Sequence, residues 1–269
     1  MSPKTLIAYD FDWSLIDQDS DHFLVSKLNT LLTKKMNELE LNMQWTDMMN
    51  QLLGELHELG VTETQMSTVW AQIPFSENMI KALHIAKEAN ADIMIISDAN
   101  SVAISKVLNH YQVDHLFNKI ITNAAQWTED GKLVINRLVP KETPHGCSTK
   151  AEGFGHTCSV NMCKGQEITR VMLEGGYDRV IYVGDGANDF CPITKLGVND
   201  IALVRSGRIL SKIVEAPSSR AQIKANVILW SEAADILAMY RNLFRLSPQS
   251  LEPITNIITP KETVRLASN

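Results

Sequence analysis

The sequence predicts an α/β fold: a doubly wound parallel sheet with a small helical insert after the first strand. Three observations predict it. Short, unbroken apolar runs recur along the chain and each ends in a polar residue; helical patterns separate them; and one stretch, from about Asp21 to Pro74, replaces the alternation with helices alone. Unbroken hydrophobicity is what a strand needs when both of its faces are covered, as in a parallel sheet. Strands alternating with helices of this length read as a doubly wound sheet. At 269 residues, 45% of them hydrophobic, the chain suffices for one large domain or a domain plus an insert.

The first strand is Thr5-Leu-Ile-Ala-Tyr-Asp10. In the insert, Leu24, Val25, Leu28, Leu31, Leu32 and Met36 recur at helical spacing, and a second helix runs from Trp45 through Leu52 and Leu56 to Gly60. Thr62 with Gln65 forms a capping box for a third helix through Trp70. A helix over Asn78–Ala89 leads into the strand Asp92-Ile-Met-Ile-Ile-Ser97-Asp98, and another over Ser101–Tyr111 leads into Lys119-Ile-Ile-Thr122. Thr128-Glu-Asp-Gly131, between Trp127 and Leu133-Val-Ile135, is a hairpin signal. A helix from Gln166 to Leu173 stops at Gly175-Gly176, followed by the strands Arg179–Asp185 and Ile201–Val204. Trp230, Ala233, Ala234, Leu237, Tyr240 and Leu243-Phe244 form the stripe of a closing helix. The organisation read from these signals is a catalytic core at 1–20 and 75–245, a helical cap at 21–74 and a Pro-punctuated tail at 246–269.

Charge and composition narrow the function. Lys+Arg total 25 against 31 Asp+Glu, a net charge of −6, which argues against general affinity for nucleic acid or anionic membranes. The N-terminal apolar run is shorter than the roughly 7–15 residues of a signal peptide. No run approaches the ~18 of a membrane span. Four cysteines without such a signal suggest no disulfide framework. The expected compartment is the cytoplasm, and the expected partner is a small molecule.

In a doubly wound sheet, functional groups gather at the carboxyl ends of the strands, where Asp10, Ser97 and Asp185 stand. Asp10-Phe-Asp12-Trp-Ser14 points two carboxylates the same way, suited to a shared divalent cation or to attack by one and proton movement by the other. Two solvated acids at a strand end are the plainer alternative. Gly184-Asp185-Gly-Ala-Asn188-Asp189 closes a second strand at the same edge. Carboxylates converging there repel unless a cation joins them, and Mg²⁺ suits oxygen ligands. An Asp/Asn-rich turn is the competing reading. Ser97 offers a hydroxyl and an amide to an anion, or serves as a local turn. Lys164, in Asn161-Met-Cys-Lys-Gly165, stands ahead of a helix as a phosphate neutraliser or as a surface lysine.

The order Asp-x-Asp-x-Ser, strand-ending Ser, Lys and Gly-Asp-x-x-x-Asp resembles the haloacid dehalogenase (HAD) superfamily of phosphatases. The insert resembles that superfamily's helical cap in its commonest position. The resemblance is closer still to the eukaryotic phosphoethanolamine/phosphocholine phosphatase family, which includes pyridoxal phosphate phosphatases. It is carried by Asp10–Asp21, Leu53–Gly60, Ile96–Asn100, Asn161–Gly165 and Val183–Pro192. The resemblance implies a hydrolase in which Asp10 is the nucleophile, forming an aspartyl-phosphate, and Asp12 protonates the leaving oxygen and later activates water. It implies Mg²⁺ bound by Asp10, the Asp12 carbonyl and Asp185. Ser97, Lys164 and Ser14 are the implied phosphate-binding groups, with Asp189 and Asn188 behind them. Phosphoryl transfer needs little beyond in-line positioning and neutralisation of the equatorial oxygens, which agrees with this set.

Two departures stand out. Trp13 occupies a position where the superfamily usually has Gly, and Ser14 replaces a more frequent Thr. The family's tight Cys-x-x-Cys is also loosened: Cys147 and Cys158 lie far apart, with Cys163 beyond. A zinc knuckle from His145, Cys147, Cys158 and Cys163 competes with idle cysteines. The spacing favours the idle reading, because ligand pairs usually come as Cys-x₂₋₄-Cys. In the resembled family, carboxylates at the positions of Asp21 and Asp98 are associated with an amino-alcohol head group. Extra acids beside a phosphate site make sense for a cationic leaving group, and Trp13, Trp45 or Trp70 would add a cation–π face. The expected substrate is phosphocholine or phosphoethanolamine. Pyridoxal 5′-phosphate, pyrophosphate and a catalytically silent binding protein on the same scaffold are the alternatives.

Overall fold

Alternate residues of a strand point to opposite faces of its sheet, and β1 (Thr5–Tyr9) shows what that demands here. Ile7 and Tyr9 enter one hydrophobic cluster, Leu6 and Ala8 a second, and all are buried. The computed structural model describes residues 3–244; the tail read at 246–269 lies outside the described residues. The main sheet is completed by β2 (Asp92–Asn100), β3 (Lys119–Trp127), β4 (Leu133–Asn136), β7 (Arg179–Gly184), β8 (Ile201–Arg205) and β9 (Asn226–Trp230), while β5 (Lys150–Ala151) and β6 (Gly155–His156) form a separate short pair. Its order is β4-β3-β2-β1-β7-β8-β9, parallel except for the β3–β4 hairpin at one edge. This is the expected doubly wound α/β architecture.

Strand order reverses at β1. The chain builds outward through β2 and β3 on one side, then returns to β7 on the other. Such a switch point opens a crevice at the carboxyl ends of the two central strands. In register Tyr9 opposes Val183, and Asp10 N donates to Val183 O at 2.9 Å, so Asp10 and Asp185 emerge side by side.

Four helices form the insert between β1 and α5 (Glu77–Glu88), the helix that leads into β2: α1 (Ser20–Leu28), α2 (Thr30–Leu39), α3 (Trp45–Glu58) and α4 (Glu63–Trp70). The apolar spacing from Leu24 to Met36 reads as one helix, but the structure breaks it at Asn29. That residue is extended (φ −158°), and its side chain accepts from Leu31 N and Leu32 N to cap α2. A local side-chain acceptor has overridden the apolar period. The Thr62–Gln65 capping box starts α4 as expected. The insert also fastens to the sheet edge: Asn50 Nδ2 donates to Ile135 O at 2.7 Å and Ile135 N returns a bond to Asn50 Oδ1 at 2.8 Å.

The helices α5 (Glu77–Glu88), α6 (Ser101–His110) and α11 (Ala233–Phe244) contribute to the Tyr9 side of the core, while α7 (Lys164–Gly175), α8 (Phe190–Ile193) and α9 (Ile209–Glu215) contribute to the other; α10 (Pro217–Arg220) follows α9. Tyr9 and Tyr240 share a buried 2.7 Å hydrogen bond that ties α11 to β1. Trp230, assigned from sequence to the closing helix, instead ends β9 opposite Arg205. Asp235 accepts from Ser231 N and Glu232 N, turning the chain between strand and helix.

Candidate active site

The carboxyl end of β1 runs into a tight turn over Phe11–Leu15, in which Leu15 N reaches back to Asp10 O and Ile16 N to Phe11 O. Trp13 sits inside this turn at φ +56°, the left-handed region that disfavours a residue carrying a Cβ. The structure explains how a tryptophan is tolerated there. Arg205 Nη1 donates to Trp13 O at 2.6 Å, and the guanidinium of Arg208 stands 4.2 Å from the Trp13 ring centroid.

The turn presents Asp10 at the crevice. Phe11 N donates to Asp10 Oδ1 at 2.7 Å, and Lys164 Nζ lies 2.7 Å from Asp10 Oδ2. Lys164 is the first residue of α7 and is 1% exposed, so its ammonium has left water entirely. A buried ammonium survives only with close anionic partners. It has two, for Lys164 Nζ also donates to Asp189 Oδ1 at 2.8 Å; burial opposes its charge, but Asp10 and Asp189 raise its pKa above the ordinary lysine value.

Asp189 spends both oxygens. Oδ1 also accepts from Tyr182 OH at 2.8 Å, and Oδ2 accepts from Asp185 N and Gly186 N, each at 2.9 Å. It therefore fixes Lys164 and shapes the turn that carries Asp185. A Cβ added at Gly184 would lie 2.6 Å from Asp189 Cγ, so that turn admits no side chain there. Asp185 Oδ1 accepts from Ser14 Oγ at 3.2 Å and Oδ2 from Arg208 Nε at 3.0 Å. Its pKa is pushed up to about 6, by burial first and then by Asp189, with Arg208 opposing. Burial, then the charge of Asp189, likewise holds the Asp10 carboxyl well above the ordinary range, against the pull of Lys164.

Asp12 turns toward the insert, where its Oδ1 accepts from Ser20 N at 2.8 Å. Burial, with Asp19 and Asp21 nearby, raises its pKa well above the ordinary carboxyl value. Asp12 therefore holds its proton more tightly than an ordinary carboxyl does.

Asp10, Asp12 and Asp185 line a cavity of about 640 Å³ together with Ser97, Asp98 and Asn188, while Lys164 and Asp189 stand behind its wall. Ser97 is not the strand's last residue: β2 runs on to Asn100, and its pairing with β3 shifts register between Ile96 and Asn100. Such irregularities re-aim side chains next to active sites. Asn123 on β3 holds the irregular segment, its Nδ2 donating to Asp98 O at 2.6 Å and Ala99 O at 3.0 Å. Asn161 Nδ2 donates onward to Asn123 Oδ1 and to Thr46 Oγ1 on α3, which links core and insert.

Three expected placements differ. Ser14, expected among the phosphate-binding groups, is buried and donates to Asp185. Asp21 does not line the cavity; it is buried at the start of α1, where Oδ2 accepts from Trp45 Nε1 at 2.8 Å. Asp19 and His22 flank the cavity instead. Trp70 is buried in the core and Trp13 is stacked by Arg208, leaving Trp45 as the cavity-lining tryptophan without a stacked cation among the described residues. Asp98 does reach the wall: Asn188 Nδ2 donates to its Oδ2 at 2.8 Å, and its buried Oδ1 has no hydrogen-bond partner among the described residues. Arg208, absent from the sequence reading, was signalled only by its place just past the carboxyl end of β8.

Asp10, Asp185 and Asp189 each offer a carboxylate oxygen, all within 4.8 Å of one another. Because Asp189 already accepts from four donors, Asp10 and Asp185 are the oxygens left to face a cation. Hard oxygen donors with excess negative charge fit Mg²⁺. Among the described residues, no helix is long and apolar enough to cross a membrane.

A model of the family described as "Putative Phosphatase" matches residues 5–244. The chain is 32% identical over 255 residues to pyridoxal phosphate phosphatase PHOSPHO2 of Bos taurus, an alignment spanning 90% of this chain and 99% of that protein. It is 31% identical over 236 residues to inorganic pyrophosphatase 2 of Arabidopsis thaliana, spanning 86% of this chain and 80% of that one. Among solved structures, a HAD-family hydrolase from Salmonella enterica serovar Typhi superposes with a TM-score of 0.57 at 16% identity, over 87% of this chain and 70% of that chain.

Proposed function

Since the chain belongs to this phosphatase family and carries the HAD fold, we propose that it is a Mg²⁺-dependent phosphomonoesterase that works through an aspartyl-phosphate on Asp10. The observation that carries this reading is the Asp10 carboxylate at the β1–β7 switch point, paired with buried Lys164 at 2.7 Å and sharing its cavity with Asp12. In the first half-reaction an Asp10 oxygen bonds to phosphorus as the bond to the leaving oxygen breaks, and Asp12 gives that oxygen its proton. In the second, water attacks phosphorus, Asp12 takes the water's proton, and the bond to Asp10 breaks. Lys164 and Ser97 neutralise and orient phosphoryl oxygens. Bound by Asp10, Asp185 and the Asp12 carbonyl, Mg²⁺ would supply charge neutralisation for the phosphoryl group.

For the substrate, a small phosphorylated metabolite with a cationic leaving group fits best: phosphocholine or phosphoethanolamine. Asp19 and Asp98 on the cavity wall are acids the phosphoryl chemistry does not use, and Trp45 adds an aromatic edge. One observation favours a second reading. Arg208 lines the same cavity and suits an anionic leaving group, such as that of pyrophosphate, or pyridoxal 5′-phosphate. A panel of phosphorylated metabolites assayed with Mg²⁺ and with EDTA tests both. Asp98→Asn should lower kcat/KM for phosphocholine by about ten- to hundredfold while sparing a neutral aryl phosphate, the loss expected of one charge-assisted contact worth ~1.5–3 kcal/mol. Preference for pyrophosphate or pyridoxal phosphate, lost in Arg208→Ala, would establish the second reading. Activity undiminished by EDTA, or by Asp185→Ala, would overturn the metal assignment.

A further inference from the structure

All four cysteines of the chain converge at one point, none of them on the cavity wall. Cys158 Sγ lies 3.5 Å from Cys147 Sγ and 3.8 Å from Cys163 Sγ, and Cys191 Sγ lies 3.6 Å from Cys147 Sγ and 3.7 Å from Cys163 Sγ. All four sulfurs fall within 4.8 Å of one another, and none is joined in a disulfide. A tetrahedron of thiolates about zinc, with Zn–S near ~2.3 Å, has edges of about 3.8 Å. We propose that Cys147, Cys158, Cys163 and Cys191 hold a structural Zn²⁺, separate from the carboxylate site.

The surroundings agree with a closed tetrathiolate centre. Three of the four cysteines are buried and Cys147 is half-buried. Gln166 N donates to Cys163 Sγ at 3.4 Å, an outer donor of the kind sulfur ligands use. Thr149 Oγ1 accepts from Cys191 Sγ at 3.3 Å and Cys147 Sγ at 3.4 Å, a hydroxyl placed to donate to one of the two once the thiols lose their protons. Gly165 lets the sulfurs approach, since a Cβ there would sit 2.4 Å from Cys191 Sγ. His145, a candidate ligand by sequence, is excluded by its bonds: Nδ1 accepts from Cys147 N and Nε2 pairs with Ser159 O. Cys191 takes the fourth position instead. It went unnoticed in the sequence because it lies far along the chain, inside the Val183–Pro192 segment.

The fold explains what such an ion does. Residues 137–163 connect β4 to α7 with only the two-residue strands β5 and β6 as regular structure. Connections that long without their own core need another constraint. Cys163 immediately precedes Lys164, and Cys191, in α8, follows Asp189 by two residues. Four sulfurs leave no open coordination position, so the ion is structural, binding as the four thiols release their protons to solvent. It rivets the loop to the two chain segments that bring Lys164 and Asp189 together.

Elemental analysis of the full-length protein, purified without chelator and dialysed, should find about one zinc per chain. Growth with Co²⁺ in place of zinc should yield the intense visible bands of a tetrahedral tetrathiolate. Cys191→Ser and, at the half-buried position, Cys147→Ser should each weaken zinc retention by more than about tenfold and lower the melting temperature. Should Cys191→Ser fail to fold, Cys147→Ser and thiol titration of the wild-type protein decide the matter. Zinc-free folded protein with four titratable thiols, iron in place of zinc, or two disulfides detected by mass spectrometry would each overturn the proposal. None of these readouts depends on substrate or on Mg²⁺, so they stand or fall apart from the phosphatase mechanism.

Discussion

Replacing Asp189 by Asn removes one charge and almost no volume, yet it should be among the most damaging changes available. The carboxylate accepts from Lys164 Nζ and Tyr182 OH on one oxygen and from Asp185 N and Gly186 N on the other. An amide keeps only one of those oxygens. Whichever way it is turned, its NH₂ faces two donors. Hydrogen bonds to a charged group are worth ~1.5–3 kcal/mol each, so losing two costs about 3–6 kcal/mol. Relief of the repulsion that Asp189 exerts on Asp10 and Asp185 offsets part of this. A net loss near 3 kcal/mol corresponds to about 6–12 °C in melting temperature for a domain of this size. Paired thermal and urea unfolding measure it, and phosphate release should fall, because either Lys164 or the turn that carries Asp185 loses its anchor. A melting temperature within about 2 °C of wild type would refute the four-acceptor account, because that shift is worth at most ~1 kcal/mol.

Asp10→Asn should abolish phosphate release while the protein still unfolds cooperatively, since an amide cannot attack phosphorus and Lys164 keeps Asp189; retained turnover would remove Asp10 from the chemistry. Asp21→Asn should raise stability at pH 8. Burial lifts the Asp21 carboxyl from 3.8 to about 7, so the folded chain keeps a proton that the unfolded chain releases. Its contribution is therefore greatest below about pH 4 and is lost as pH rises to 7, by roughly 4 kcal/mol; a urea midpoint at pH 8 no higher than wild type would count against this. Gly165→Ala should cost about 1–3 kcal/mol by overpacking, because the new Cβ meets Cys191 Sγ at 2.4 Å and the Cys191 carbonyl carbon at 3.2 Å. An unchanged melting temperature would show that the cysteine cluster yields at no cost.

What could be read in the fold was whatever one periodicity determines. β1 and β7 are unbroken apolar runs because helices cover both their faces, and the runs mark them directly. The boundaries that escaped were decided by single side chains or by the edge of the sheet. Asn29 competes for two backbone amides and splits a continuous apolar stripe into α1 and α2. Trp230 continues the helical spacing of Ala233 and Leu237, but β8 offers an open edge, and pairing Asn226–Trp230 along it satisfies backbone groups that would otherwise go unbonded. The irregular end of β2 has no signature in its own residues, since Asn123, on another strand, holds it.

The same division runs through the site. Asp10 and Asp185 were legible because strand order alone delivers them to the switch point, whatever their neighbours do, whereas Lys164, at the start of α7, and Asp189 were legible only through the motif resemblance. Side-chain direction was not legible, because it is chosen by partners distant in sequence. Ser14 turns to Asp185 rather than to the cavity. Asp21 is drawn inward by Trp45, leaving the cavity wall to Asp19. Arg208 closes that argument. It stacks on Trp13, whose left-handed backbone Arg205 secures, and it donates to Asp185, so one guanidinium supports both the turn after β1 and the carboxylate after β7. The tryptophan in a position that favours glycine is thus the counterpart of an arginine nearly two hundred residues away. Neither residue makes sense without the other, and only the folded chain brings them together.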